Sequence, residues 1–88
     1  MANIKLKLAE RNGTTRTSLT SISWAWFDSI DPNSFVAPTD KGNTETTDAN
    51  GFLEITLSSS TLTPGQAGTL VIMSSDTLDT GVYTLEVF

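Results

Sequence analysis

Between Phe52 and Leu57 apolar and polar residues alternate without exception, and the run leaves directly from the turn-forming cluster Asp48-Ala49-Asn50-Gly51. A period of two places Leu53, Ile55 and Leu57 on one face and Phe52, Glu54 and Thr56 on the other, a division that a strand satisfies and a helix does not. Asn50-Gly51 supplies the positive φ angles of a tight turn, and the Asp48 carboxylate can accept from the turn backbone. With the Thr-rich residues 43–47 on the near side, the pattern predicts a β-hairpin with one buried face.

The rest of the chain repeats this grammar. Ile4, Leu6 and Leu8 alternate with Asn3, Lys5 and Lys7, which predicts a strand over 3–9, closed by a turn at Glu10-Arg11-Asn12-Gly13. The longest strand spans 18–28, with Ile22, Trp24 and Trp26 on one face and Ser21, Ser23, Ala25 and Phe27 on the other. Residues 29–41 hold Pro32 and Pro38 and read as a loop with a short edge strand near Phe35-Val36-Ala37. Pro64-Gly65 suits the centre of a type II turn. A strand over 68–74 carries Leu70-Val71-Ile72-Met73, apolar on both faces and so expected to be covered on both. After a turn at 75–81 the chain closes on a strand over 82–88, with Tyr83, Leu85 and Val87 on one face.

No segment keeps a helical period for two turns. The sequence therefore predicts an all-β fold, an immunoglobulin-like antiparallel β-sandwich of six to seven short strands, as a single domain over 1–88 with almost no tails. The expected core is Ile4, Leu6, Leu8, Ile22, Trp24, Leu53, Ile55, Leu57, Leu70, Ile72, Tyr83, Leu85 and Val87. A chain of 88 residues buries only about 60–65% of the surface its unfolded form exposes, so a partner that adds burial would add stability.

Composition narrows function mostly by exclusion. The chain has no Cys and no His, which removes disulfides, thiolate metal sites and the Ser-His-Asp and Cys-His catalytic arrangements. Its formal charge is -5, and four of its five basic residues (Lys5, Lys7, Arg11, Arg16) fall in the first sixteen positions, with Lys41 the fifth. A surface that tracks phosphates needs clustered Lys and Arg, so no nucleic-acid partner is expected. No apolar run approaches the roughly 20 residues that span a bilayer, and the start lacks the layout of a signal peptide. The expectation is a soluble chain made in the cytoplasm, without a membrane partner.

The remaining chemistry-bearing groups have structural readings. Asp28, Asp31, Asp40, Asp48, Asp76 and Asp79 are scattered among turns, and Lys41 reads as a loop residue without the apolar surroundings that would depress its pKa. No enzyme activity, cofactor or metal is expected. Asp48-Ala49-Asn50-Gly51 superficially resembles a calcium loop, but Leu57 occupies the position where the bidentate Glu would stand. Trp24 and Trp26 suit either core packing or a sugar-stacking platform, and their exposure distinguishes the two. If they face inward, parity turns Phe27, Phe52 and Phe88 outward, while Phe35-Val36 sits in a proline-bounded loop. These five residues are the candidate protein interface; the alternative is that loops fold over them.

Residues 19–28 (LTSISWAWFD), Ala37-Pro38 with Gly42, the TTDANG element at 46–51, Leu62 with Gly65-Gln66-Ala67-Gly68, and Ser75-Asp76 together resemble a group of small immunoglobulin-like or transthyretin-like β-sandwich proteins of tailed phages. The resemblance implies a minor virion structural protein with no catalytic residue. The reading that follows is a capsid decoration (cement) protein on the outside of the head, bound to the major capsid protein or another virion subunit, with a homo-oligomer also open. An acidic chain suits the outer shell better than the DNA-filled lumen. The alternatives are a tail or fibre-attachment component and a carbohydrate-binding module.

Overall fold

A computed structural model describes residues 2–7, 22–74 and 81–88. Among them are six strands: β1 (Ala2–Lys7), β2 (Ile22–Phe27), β3 (Asp40–Glu45), β4 (Phe52–Leu57), β5 (Ala67–Ser74) and β6 (Gly81–Glu86). They form two antiparallel sheets, one of order β1-β4 and one of order β3-β2-β5-β6. The expected core position Leu8, the turn at Asn12-Gly13, the 18–21 start of the second strand and the Asp76 to Asp79 turn lie outside the described residues.

Alternation decides which side of each sheet is inward. In the smaller sheet Ile4 faces Ile55 and Leu6 faces Leu53 across the ladder. In the larger sheet Trp26 pairs with Leu70 and Trp24 with Ile72. These residues, with Ile22, Leu57 and Val87, make one buried cluster, against which Leu62, Tyr83 and Leu85 pack half-buried. The architecture is thus sandwich-like, with a core drawn from both sheets. Trp26, fully buried, joins the expected core, and Ala25 is buried on the opposite face of β2. In β5, Leu70 and Ile72 are buried but Val71 is only half-buried, so the double coverage expected of this strand is partial at that position.

The predicted hairpin is corrected. Its turn forms: the Asp48 carboxylate accepts from the backbone N–H groups of Asn50 and Phe52, at 2.8 and 3.0 Å. Gly51 adopts φ 83°, and its N–H donates to the Asp48 carbonyl. Yet β3 pairs with β2, and β4 pairs with β1, so the turn is a corner between sheets. The physical reason is the single apolar face of β4. Laid beside β3, Leu53, Ile55 and Leu57 would widen the larger sheet; carried across, they cover its indoles.

Two further expectations shift. No strand forms at 35–37, where the chain makes a single 3₁₀ turn at Pro32–Ser34, capped by the Asp31 side chain, and then bends. Proline removes backbone donors that a ladder would need. The following strand starts earlier than expected, so Asp40 and Lys41 are β3 residues. The type II turn at Pro64-Gly65 forms as expected, with Gly65 at φ 94° and the Gln66 N–H donating to the Thr63 carbonyl at 3.0 Å. Beyond β6, Val87 exchanges backbone bonds with Gly65 and Gln66, and Phe88 with Asn3. The last two residues therefore clasp the larger sheet to β1.

Candidate functional site

At the end of β2 the chain enters a loop, residues 28–39, that is tied down at both sides. The Asp28 carboxylate accepts from Trp26 Nε1 at 2.8 Å, Ser60 Oγ at 2.6 Å and the Thr61 N–H at 2.8 Å. Burial pushes this carboxyl up, but the bonds from Ser60, Thr61 and Trp26 outweigh it and hold the group below its ordinary value. Thr69 Oγ1 donates to the Ser29 carbonyl, and the Thr39 N–H donates to the Trp26 carbonyl at 2.7 Å. Asp40 accepts from the Ser59 N–H and the Ser58 hydroxyl. Asp28 and Asp40 thus hold the β4–β5 connection, a long-range role in place of the local turn role expected of them.

The end of β2 and this anchored loop carry several large apolar side chains. Phe27 and Phe35 stack with ring centroids 4.5 Å apart, both half-buried. Val36 is 91% exposed and Ile30 62% exposed. Large exposed apolar side chains on a rigid frame can bury surface against another protein without much ordering entropy. Ile30 was missed from sequence because parity argues only within strands; the available signal was an isolated apolar residue among turn formers.

The other candidates are placed elsewhere. The β4 end at Leu57 leads into Ser58–Thr61 beside Asp28, so Phe52, at the β4 start, sits at the opposite end of the strands. There it is half-buried, with the Lys5 ammonium 4.7 Å over its ring. Phe88 is 54% exposed on the clasp beside Asn3. Of the five expected interface residues, Phe27, Phe35 and Val36 are brought together, and Phe52 is separated from them. Phe27 and Phe52 are less exposed than parity implied, because the loop and Lys5 cover part of each.

Trp24 and Trp26 are buried and present no open stacking face. Among the described residues no group of three or more acidic side chains is placed to hold a metal ion. The bonds within the Asp48 turn, from Phe52 and Asn50 first, hold that carboxyl low and engage it with its own backbone. Compared with known proteins, the chain matches no family model, no curated protein and no solved structure.

Proposed function

We propose that this chain is a non-enzymatic, immunoglobulin-like structural protein that binds a repeating assembly through the end of its sandwich at the β2–β3 loop. The fold part of the reading rests on strand order. The order β3-β2-β5-β6, with β1-β4 in the other sheet, supports this reading, since an immunoglobulin-type sandwich orders C′-C-F-G and B-E in the same way. The assembly reading within this is a capsid decoration protein on the outside of a tailed-phage head, which the sequence resemblance, the acidic charge and the lack of His and Cys favour. A tail or fibre-attachment role uses the same surface. Burial of both indoles weighs against a sugar-binding module built on them.

The observation that carries the proposal is the Phe27–Phe35 stack between the end of β2 and a loop that also exposes Ile30 and Val36 and is pinned by Asp28, Asp31 and Thr69. An anchor at the centre of an interface contributes about 2 kcal/mol or more, roughly a thirtyfold change in affinity. Occupancy of Phe35→Ala and Val36→Asp variants on purified particles is the test, with Thr46→Ala, on an exposed stretch beyond β3, as control. Loss of occupancy by the first two with retained folding is expected. Wild-type protein missing from particles overturns the virion reading, and full occupancy by both variants overturns the assignment of the anchor.

A further inference from the structure

The turn between β3 and β4 holds a reactive pair whose chemistry is independent of the apolar loop. Of the described asparagines, Asn3, Asn33 and Asn43 are followed by Ile4, Ser34 and Thr44, and only Asn50 precedes a glycine. An asparagine side-chain carbonyl carbon lies within reach of the next residue's backbone nitrogen, and a bond between them closes a five-membered ring. A side chain on the attacking residue crowds that approach, and glycine has none. Asn50 is exposed, and no hydrogen bond engages its side-chain amide among the described residues. The electrophile is therefore open to solvent.

The nucleophile is held. Gly51 is buried, and its N–H donates to the Asp48 carbonyl at 3.1 Å. Attack requires this nitrogen to lose its proton and turn toward Asn50 Cγ, and it can do neither while that bond stands. The amides on either side are tied to the same residue. One oxygen of the Asp48 carboxylate accepts from the Asn50 N–H at 2.8 Å and from the Phe52 N–H at 3.0 Å. The Asp48 N–H in turn donates to the Phe52 carbonyl at 3.0 Å. Asp48 thus closes the turn around Gly51 with its carboxylate, its carbonyl and its N–H. Bonds to an ionised acceptor are stronger than neutral ones, and the Phe52 and Asn50 N–H groups hold this carboxyl below its ordinary value.

We infer that Asn50 is a site of spontaneous deamidation, and that Asp48 governs it by controlling when the Gly51 nitrogen is free to attack. In the opened turn the Gly51 nitrogen gives its proton to hydroxide and bonds to Asn50 Cγ. The Cγ–Nδ2 bond breaks, and its nitrogen takes a proton from solvent and leaves as ammonia, which gives a succinimide. Water then opens the ring at one of its two carbonyl carbons. Breaking the new bond at Cγ yields aspartate. Breaking the original peptide bond yields isoaspartate, whose main chain runs through Cβ and Cγ. Either product adds a negative charge two positions from Asp48 in a chain already at -5. Isoaspartate also lengthens the backbone within the turn that carries the chain from β3 across to β4, so it pulls the Gly51 and Phe52 N–H groups away from their Asp48 acceptors.

The test is incubation of the intact protein in mildly alkaline buffer, native and in guanidinium chloride, followed by trypsin digestion and mass spectrometry. Cleavage after Arg11, Arg16 and Lys41 puts Asn12 on residues 12–16 and Asn50 on residues 42–88, where fragmentation distinguishes it from Asn43. Asn50 is expected to convert to the acid in denaturant, and about tenfold or more slowly in the native protein, where the turn must first open. Asp48→Ala should speed the native conversion about tenfold, the scale of the bonds it removes, and leave the rate in denaturant unchanged. If that variant does not fold, hydrogen exchange of the wild-type Gly51 amide decides: slowed exchange is expected, and exchange at the unprotected rate overturns the guarding role. No conversion of Asn50 in denaturant, equal native and denatured rates, or an unchanged native rate in a folded Asp48→Ala overturns the proposal.

Discussion

Asp28 is the residue on which most of the apolar end depends. One carboxylate receives the Trp26 indole from the core, and the Ser60 hydroxyl and Thr61 N–H from a connection more than thirty positions along the chain. Asp28→Ala leaves the buried Trp26 Nε1 without an acceptor, and should cost about 2 kcal/mol in urea-melt stability at neutral pH. Its folded pKa lies below the ordinary carboxylate value, so it contributes stability that is fully present above the unfolded pKa. That contribution is lost as pH falls through the folded value. The gap between wild type and Asp28→Ala should therefore be widest above about pH 5 and narrow steadily toward about pH 2. A gap that stays constant over that range would mean the carboxylate charge is not what the three donors read.

At the scale of elements, β5 shows how tightly the larger sheet packs around its indoles. A side chain on Gly68 would collide with the Trp26 ring and come within 2.6 Å of the Phe27 carbonyl. Gly68→Ala should lower stability by about 1–3 kcal/mol through forced displacement of β2. It should also disturb the Phe27–Phe35 stack, visible as a change in near-ultraviolet dichroism. At Gly65 the surroundings are open and only the positive φ resists a side chain. Gly65→Ala should therefore cost about 1–2 kcal/mol without changing the aromatic signal. Equal spectral changes in the two variants would contradict this division between collision and backbone strain.

For the whole molecule, the clasp at residues 87–88 joins the larger sheet to β1 outside the core. Val87 is buried among residues of both sheets, while its backbone bonds to Gly65 and Gln66 and that of Phe88 to Asn3. Val87→Ala should cost about 2 kcal/mol, from lost burial and the cavity left behind. Phe88→Ala keeps the backbone bonds and removes a half-exposed ring, so a change well under 1 kcal/mol is expected in the isolated protein. If Phe88 also meets a partner, the same substitution shows itself only in occupancy on particles. Chemical denaturation and particle binding together separate the two roles.

What the sequence determined by itself is local in origin. Period-two alternation set the inward faces of β1, β2 and β4, because successive side chains of an extended backbone must point to opposite sides. The turns at Asp48 to Gly51 and at Pro64-Gly65 were equally legible, since each follows from the φ angles and acceptors of adjacent residues. What followed each turn was not. The same corner geometry serves a hairpin or a crossing between sheets, and only the need of β4 to cover Trp24 and Trp26 chose the crossing. Of the candidate interface, the identities of Phe27, Phe35 and Val36 were readable, but their grouping, and the separation of Phe52, depended on contacts between distant segments. That Trp24 Nε1 has no acceptor among the described residues was illegible for the same reason. Whether a donor is satisfied depends on every neighbour that folding brings to it, and alternation describes only the strand on which it stands.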